Sequence, residues 1–483
     1  MFAPSLFAQA DFLPIGDLPG DNFYSTIGGL SGDGSVAVGS SRGTGGLFAY
    51  RWTEASGMQV LPSLPTGPEN SVAYDVSANG EVIIGTSMNA SGNRAVRWTS
   101  AGIEELGNPA ADAINVYATA ISADGSTIAG FYTTIAGVEG FVWTEATGSF
   151  SIGDLPGGNL SGYPQCVSAD GQWVGGQGSG PVGPQAFLWS AHTGLEALDP
   201  LPTGELPWRI IDLGIDGSKA YGSVLQNEKL VGFEWQRGLG GSLLPEPPLN
   251  EFTQAVAVDL SESVVCLNTH FFGFNEVYLL LGGGQPIRLE DHLFNLGVTN
   301  LGGLTPVWFT DISLDGTTLA GQAINANGKT EGWVARLEPG GPSPLGTSYC
   351  GGQATNSSGS AAAIQATGLS TAAVNSVTLE ASQMPPGELG FFLNSLDQAF
   401  VPMAGGSAGN LCLGGQIGRY NASVFGTGSG AASLVLNLGA TPTPLGFAAV
   451  DAGQTWNFQA WFRDTAAGAG VSNFTDGLSI TFD

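Results

Sequence analysis

Carboxylates at one recurrent position are the residues of this chain best placed to do chemistry. Asp75, Asp212, Asp259 and Asp311 each stand two residues before a position at which serine recurs through the first part of the chain. Alternate residues of a strand point the same way, so we expect the four carboxylates to project from equivalent places. Carboxylate oxygens are ligands that Ca²⁺ prefers, and the pattern therefore indicates a calcium site. The alternative is that each aspartate accepts hydrogen bonds from backbone N–H groups of its own or the next repeat.

Other residue types suited to catalysis are scarce. The three histidines, His192, His270 and His292, lie far apart in sequence. The segment 405–409 matches the G-x-S-x-G pattern around Ser407, but no histidine follows it and no strand-to-helix pattern surrounds it. We interpret it as a glycine-rich loop, and no catalytic residue is predicted.

A second candidate site lies near the C-terminus, in the alternating run from Trp456 to Arg463. Its odd-numbered face carries Asn457, Gln459, Trp461 and Arg463, so Trp461 would stand among polar side chains. An aromatic ring in that setting could stack on a sugar, with Arg463 beside it as a second ligand-binding residue. The alternative is that Trp461 packs against another part of the protein.

The charge balance excludes several classes of protein. The 483 residues include 13 Lys and Arg against 41 Asp and Glu, a formal net charge of -28. Nucleic acids and anionic membranes require clustered cations, so neither is an expected partner. No apolar run approaches the ~18 residues of a membrane span, and a hydrophobic content of 42% is too high for a disordered chain.

A repeat of about 46 residues organises the first two thirds of the sequence. Each copy contains four short strand-like runs separated by turns such as Asp-Gly, in which glycine supplies positive φ. The serine recurs at Ser31, Ser77, Ser122, Ser168, Ser261 and Ser313, with Gly214 in the fifth copy, and a tryptophan recurs at Trp52, Trp98, Trp143, Trp189 and Trp235. A four-stranded unit of this length is typical of a β-propeller blade.

The two ends of the repeat array are expected to pair. The seventh copy stops near residue 338 without a fourth strand, whereas residues 11–18 have the fourth-strand pattern and precede the first copy. We infer that they complete the last blade and leave no open edge. The predicted fold is all-β: a seven-bladed propeller over 11–338, followed by a linker at 339–346 and a β-sandwich over 347–483.

The repeats resemble a known family. Asp154 to Gly158 and Ala186 to Gly194 are similar to the HAF-type extracellular repeat of bacterial secreted proteins, and Leu289 to Gly297 is similar to the helix that interrupts the end of such arrays. The resemblance covers about 330 residues. It implies export and a propeller-like repeat, and it implies no reaction.

The last 140 residues, roughly, contain two of the four cysteines, Cys350 and Cys412, which we expect to form a disulfide. Cys166 and Cys266 lie in apolar strand patterns and are expected to stay free and buried. The stretches around Cys350, Cys412, Trp456–Asp464 and 472–477 resemble a C-terminal domain of secreted planctomycete and myxobacterial proteins, which also implies export.

Residues 1–10 end in Ala8-Gln9-Ala10, the small-x-small pattern of a signal-peptidase site, and are interpreted as the remnant of a signal peptide or as an ordinary apolar N-terminus.

Together these features favour a secreted, monomeric, non-enzymatic binding or scaffold protein whose propeller loops recognise an extracellular protein or a polysaccharide. The alternative is a secreted glycan-active lyase or hydrolase that uses the channel aspartates. No cofactor other than Ca²⁺ is predicted.

Overall fold

The computed structural model describes residues 10–20, 23–247, 252–259, 261–271, 274–337, 345–351, 354–367, 370–372, 375, 377–428, 430–466 and 469–482. The chain divides into two compact units, Met1–Gly341 and Pro342–Asp483. The all-β prediction is confirmed, since α1 (Leu289–Asn295) is the one α-helix in these described ranges. Within the same ranges, no helix has the length and apolar character that a membrane span needs.

In its described part, the first unit contains seven four-stranded antiparallel sheets, numbered here in chain order. Sheet 1 contains β2 (Ser25–Leu30), β3 (Ala37–Gly43), β4 (Gly46–Thr53) and β5 (Gly57–Val60); sheet 2 contains β6 (Ser71–Val76), β7 (Ile83–Asn89), β8 (Gly92–Thr99) and β9 (Gly102–Glu105). Sheet 3 contains β10 (Asn115–Ile121), β11 (Thr127–Thr133), β12 (Val138–Thr144) and β13 (Gly148–Gly153); sheet 4 contains β14 (Tyr163–Val167), β15 (Val174–Gly180), β16 (Gly183–Ser190) and β17 (Gly194–Ala197). Sheet 5 contains β18 (Pro207–Leu213), β19 (Lys219–Gln226), β20 (Lys229–Gln236) and β21 (Gly240–Leu243); sheet 6 contains β22 (Phe252–Val258), β23 (Val264–Phe271), β24 (Phe274–Leu281) and β25 (Ile287–Arg288). Sheet 7 contains β26 (Thr305–Ile312), β27 (Thr318–Ile324), β28 (Thr330–Arg336) and β1 (Asp11–Pro14).

The first strands of successive sheets contact one another in a closed cycle, and β26 of sheet 7 contacts β2 of sheet 1. This is the arrangement of a β-propeller around a central channel. The N-terminal β1 pairs antiparallel with β28, so both ends of the unit share sheet 7. There Asp11 lies opposite Arg336, whose guanidinium is 3.2 Å from the Asp11 carboxylate. The apolar core lies between the sheets, where Trp52, Trp98 and Trp143 are buried.

The recurrent serine holds the turn that joins the first and second strands of a sheet. In sheet 1, Ser31 Oγ accepts the N–H of Val36 at 2.9 Å and donates to Asp33 Oδ1 at 2.7 Å. Asp33 Oδ1 also accepts the N–H of Ser35 at 2.9 Å. The same serine-centred bonds recur at Ser77 with Asn79, Ser122 with Asp124, Ser168 with Asp170, and Ser313 with Asp315. The aspartates of the Ser-x-Asp-Gly element therefore accept hydrogen bonds that stabilise the turn.

Backbone hydrogen bonds link these turns from one sheet to the next. The N–H of Gly32 donates to the carbonyl of Ala78 at 2.9 Å, Ala78 donates to Ala123 at 2.8 Å, and Ala123 donates to Ala169 at 3.2 Å. Sheets 1 to 4 are thus joined through equivalent residues at the inner rim of the ring. The residue after the serine is small in these sheets because the adjoining turn lies against it.

The second unit is built from two main sheets with one core between them. One contains β29 (Thr347–Tyr349), β32 (Leu389–Ser395), β35 (Gly418–Arg419), β36 (Phe425–Gly426), β40 (Thr455–Ala466), β41 (Ala469–Phe474) and β42 (Gly477–Thr481); the other contains β30 (Ala363–Thr367), β31 (Thr378–Ser382) and β37 (Ala432–Val435). Two short hairpins, β33 (Gln398–Val401) with β34 (Leu411–Leu413) and β38 (Thr441–Thr443) with β39 (Gly446–Ala448), complete the described strands. Leu379 of one sheet and Phe392, Phe458 and Phe462 of the other share the buried cluster, as expected for a β-sandwich.

The predicted disulfide between Cys350 and Cys412 is confirmed. It joins β34 to the segment that follows β29, across 62 positions of sequence. Cys166 and Cys266 are free and buried, as predicted.

Close packing between turns makes the glycine of Ser-x-Asp-Gly a sensitive position. Gly34 has φ +67, and a Cβ there would lie 2.4 Å from Thr318 Cβ in sheet 7. Gly57, which like Gly34 belongs to sheet 1, has φ +65, and no atom lies within 4 Å of the position that its Cβ would take. We expect Gly57→Ala to lower the free energy of unfolding by about 1 kcal/mol through left-handed strain. Gly34→Ala should cost a further ~1–3 kcal/mol through overpacking, and equal losses in chemical denaturation of the two variants would contradict this account.

Candidate binding site in the central channel

A β-bulge recurs at one position in each of the seven first strands. The unpaired residues are Gly28, Tyr74, Thr119, Gln165, Ile211, Val256 and Thr310. All seven line a cavity of about 230 Å³ at the centre of the ring. A bulge bends the strand and redirects a side chain. The repeated bulge therefore turns one residue of every sheet into the channel, which the period-two reading of the sequence did not foresee.

The strand register divides the channel into layers. Each first strand enters from the face that carries the second-to-third-strand hairpins, here called the loop face, and ends at the Ser-x-Asp-Gly turn on the opposite, turn face. Two residues before the bulge, nearest the loop face, lie Thr26, Val72, Tyr117, Tyr163, Arg209, Gln254 and Trp308. One residue after it, nearer the turn face, lie Gly29, Asp75, Ala120, Cys166, Asp212, Ala257 and Asp311.

The channel aspartates are bonded to backbone on both sides of a sheet boundary. Asp212 Oδ1 accepts the N–H of Leu213 at 2.8 Å, and its Oδ2 accepts the N–H of Val258 in sheet 6 at 2.8 Å. Equivalent pairs of bonds reach Asp75 from Val76 and Ile121, and Asp311 from Ile312 and Leu30. Each carboxylate thus bridges its own strand and the first strand of the next sheet, which is the capping alternative considered for the sequence.

Burial shifts the titration of these carboxyl groups. It raises the pKa of Asp212 and of Asp311 to about 7, against the lowering effect of their backbone hydrogen bonds. Burial also raises the pKa of Asp75 well above its ordinary value, and the negative charge of Asp311 adds to that rise. The groups face only the narrow channel, and loss of solvation therefore outweighs hydrogen bonding.

The placement of Asp259 in this set was wrong. Its Oδ1 accepts the N–H of Val264 at 2.6 Å and its Oδ2 accepts from the Ser261 hydroxyl, so Asp259 fills the role that serine has in other sheets. Ala257 holds the position equivalent to Asp212. The order Ser-x-Asp is reversed to Asp-x-Ser here, and Glu262 takes the place of the turn glycine at φ +58. That reversal shifted the sequence alignment of sheet 6 by two residues.

The calcium hypothesis stays a prediction. Asp75, Asp212, Asp259 and Asp311 all line the cavity. In the described part of the chain, no group of three or more His, Cys, Asp or Glu side chains is arranged to hold a metal ion. A cation bound by the three remaining aspartates would share or displace their backbone N–H donors.

The two C-terminal candidate residues, Trp461 and Arg463, lie in different environments. Trp461 on β40 is half-buried, with its ring centroid 4.9 Å from that of Phe391, and it packs on a small cluster with Leu413 and Phe474. Arg463 is exposed. The odd-numbered face of β40 is polar as expected, yet Gln459 is buried, and its Oε1 accepts the N–H of Cys412 at 2.9 Å. Sugar stacking on Trp461 therefore stays a prediction for a ring that is partly covered.

The layer of the channel nearest the loop face contains candidate residues whose shared position sequence reasoning missed. The Tyr117 ring stacks on Phe131 at 4.8 Å, and Phe131 meets the edge of Tyr163 at 5.1 Å. Arg209 donates to Gln254 Oε1 at 2.7 Å. The residue type at this position varies among the copies, so only an alignment of the first strands could have marked the position as shared.

No family model and no curated protein matches the chain. Among solved structures, an oligogalacturonate lyase in complex with manganese is similar at 11% identity, with a TM-score of 0.47, over 68% of this chain and 98% of that one. An oligogalacturonate lyase from Vibrio parahaemolyticus has 10% identity, a TM-score of 0.45 and coverage of 68% and 97%. TolB from Acinetobacter baumannii has 12% identity, a TM-score of 0.37 and coverage of 63% and 81%. At these values the likenesses carry no argument about ligand or reaction.

The raised pKa of Asp212 predicts a specific pH dependence. Between its ordinary pKa of 3.8 and about 7, the folded state holds a proton that the unfolded chain has released, so unfolding releases a proton. The stabilising contribution is therefore present at low pH and is lost as pH rises through about 7. We expect Asp212→Asn to flatten this part of the curve of unfolding free energy against pH. The control is Asp124→Asn, because Asn79 fills the equivalent turn position; an identical slope in both variants would contradict the assignment.

The calcium hypothesis predicts that millimolar Ca²⁺ raises the melting temperature of the wild-type protein, because an ion bound only by the folded state stabilises it. Asp212→Asn should reduce the rise, since a carboxylate oxygen is lost. An unchanged melting temperature in the wild type, measured after removal of bound metal with a chelator, would remove the hypothesis.

Proposed function

We propose that the protein is a non-enzymatic extracellular binding or scaffold protein whose loop face recognises a protein or glycan partner. The observation that carries this proposal is the hydrogen bonding of Asp75, Asp212 and Asp311. Both oxygens of each carboxylate accept backbone N–H groups from two sheets. General acid–base work requires a carboxylate that is free to meet substrate, whereas these three serve the joints between sheets.

The distribution of exposed apolar residues supports the loop face as the recognition surface. Ile135 and Val182, at the tips of successive second-to-third-strand hairpins, are 95% and 75% exposed. Leu225, Ile324, Ile114 and Phe294 are further exposed apolar residues of the same face. On the turn face Leu239 is a comparable exposed residue. Variable tips on a rigid scaffold commonly carry recognition, and exposed apolar side chains favour contact with a partner.

The disulfide supports an oxidising location. Disulfides persist outside the cytosol and are rare within it, so the Cys350–Cys412 bond fits an extracellular or periplasmic protein. The second unit would then serve as an attachment or a second contact, stabilised by that bond.

The alternative, a secreted lyase or hydrolase, is tested together with binding. The purified protein is incubated with a panel of immobilised extracellular polysaccharides and proteins, and both retention and release of cleaved products are measured. We expect retention without new reducing ends or unsaturated products. Product formation that Asp212→Asn abolishes would replace the binding proposal by the enzymatic one, and the absence of any retention would overturn the binding proposal.

The face is tested with matched variants. Ile135→Ser combined with Val182→Ser should weaken the retained interaction by about fivefold or more, roughly 1 kcal/mol, because apolar contact area is lost. Leu239→Ser removes a similarly exposed side chain from the turn face and should leave binding unchanged. Equal effects of the two changes would contradict a loop-face site.

A further inference from the structure

We propose that the loop-face mouth of the channel binds an oligosaccharide that bears a carboxylate group. Arg209 would bind the carboxylate, and the half-buried rings of Tyr117, Tyr163 and Trp308 would contact the sugar rings. The inference rests on the proposed function and specifies the chemistry of its ligand.

Arg209 has a positive charge that no described carboxylate neutralises. The described residues place no carboxylate within ion-pair distance of it. Its guanidinium instead donates to neutral acceptors, Gln254 Oε1 at 2.7 Å and Ser223 Oγ at 3.3 Å. Burial lowers its pKa, so the charge is held at a solvation cost. Buried charges are normally paired, and the planar guanidinium matches a carboxylate in a two-point contact.

The arginines of the chain differ in the partners that they have. Arginine and lysine total 13 against 41 acidic residues, so an unpaired arginine is not explained by a shortage of carboxylates. Arg97, Arg288 and Arg336 each lie against two of them. Other described arginines also form no ion pair, and the buried Arg94 donates to backbone carbonyls instead. Arg209 differs from them because its strand lines the central channel, where a ligand would supply an anion.

Aromatic residues share the layer of Arg209, and mostly polar residues form the layer below it. Tyr117, Tyr163 and Trp308 share the position of Arg209 in the strand register, and each is half-buried. The next layer presents the side chains of Tyr74, Thr119, Gln165 and Thr310. Aromatic rings offer an apolar face with a polar edge, and pockets that bind small ligands combine apolar walls with a few placed polar groups. Sugars need both, because their C–H faces stack and their hydroxyls form hydrogen bonds.

Unsatisfied polar atoms mark the same region. Thr310 Oγ1, in the second layer, is buried and has no hydrogen-bond partner among the described residues. Trp208 Nε1, on the residue before Arg209, is in the same state. Such groups cost free energy unless a ligand or water satisfies them.

The carboxylates deeper in the channel set the orientation. Asp75, Asp212 and Asp311 lie beyond the bulge, towards the turn face. Asp212 and Asp311 have pKa values of about 7 and are partly ionised at neutral pH, so the level of Arg209 is the more favourable place for the ligand's carboxylate, and neutral hydroxyls face the second layer. This polarity favours an acidic sugar over an acidic peptide, whose backbone would need apolar or donor groups at the lower level.

Calorimetric titration of the full chain tests the inference with three probes: short uronic-acid oligosaccharides, their methyl esters, and a short peptide with a free C-terminal carboxylate. We expect the uronic-acid probe to bind at least about tenfold more tightly than its ester, about 1.4 kcal/mol. Arg209→Gln should remove that difference, because the charge that distinguishes the acid from its ester is lost. Trp308→Ala should weaken both, and Arg209→Lys should fall between, because it keeps the charge and loses the two-point geometry.

Arg419→Gln, which removes an exposed arginine from the second unit, is the control and should bind as wild type. Melting temperatures of every variant establish that it is folded. The inference is overturned if Arg209→Gln binds the uronic-acid probe as wild type does, or if the peptide binds more tightly than the sugar. Should the sugar fail while Ile135→Ser with Val182→Ser still loses a retained partner, only the ligand assignment fails. Should the sugar be cleaved, the non-enzymatic function fails and the site stands.

Discussion

The first unit depends on hydrogen bonds that cross from one sheet to the next at the inner rim. Backbone N–H groups at Gly32, Ala78 and Ala123 each donate to the equivalent carbonyl of the following sheet. Three aspartates add a second set of bridges deeper in the channel. Sheets that pack only through apolar faces can slide, whereas directional bonds at one radius fix their register. The serine-centred turns, small following residues and left-handed glycines all serve that joint.

Much of this arrangement follows from the sequence because the joint is repeated. Recurrent Ser-x-Asp-Gly elements and recurrent tryptophans mark the strands and turns of each copy, and residues 11–18 match a missing fourth strand, where the structure has β1. The Cys350–Cys412 bond followed from the location of the cysteines. Periodicity that arises from geometry is visible even in one chain, since every copy must satisfy the same turn.

The candidate site was harder to foresee, for two physical reasons. The bulge at Tyr74 and its equivalents leaves no mark of residue type, because an unpaired channel residue can be glycine, tyrosine or isoleucine. The reversed order of Asp259 and Ser261 preserves the hydrogen bonds of the turn while moving the aspartate by two positions. A residue such as Arg209, which occurs in one copy only, gives no periodic signal in the sequence. Its role as a candidate ligand-binding residue depends on whether the folded structure places a carboxylate beside it.

In the second unit, polar residues of the aromatic-rich stretches act mainly as internal ties. Asp464 accepts the N–H of Ser357 at 3.0 Å and the amide of Asn473 at 3.1 Å. Asp476 accepts the N–H of Ile364 at 2.8 Å. The bonds to Ser357 and Ile364 join β40 and the residue just before β42 to segments more than a hundred residues earlier in the chain. The pattern of residues here therefore reflects the demands of folding as much as those of binding.

Pairing of β1 with β28 has a kinetic side. The contact between Asp11 and Arg336 spans 325 positions, so the ring has no complete last sheet until the end of the first unit has been synthesised. Contacts of such separation form slowly, because a long loop must close first. Meanwhile β1 and the edge of β28 are unpaired strands that can join another chain. This closure favours folding after synthesis of the first unit is complete. A chain that stays extended until both ends are present avoids a stage in which its unpaired strands could join another chain.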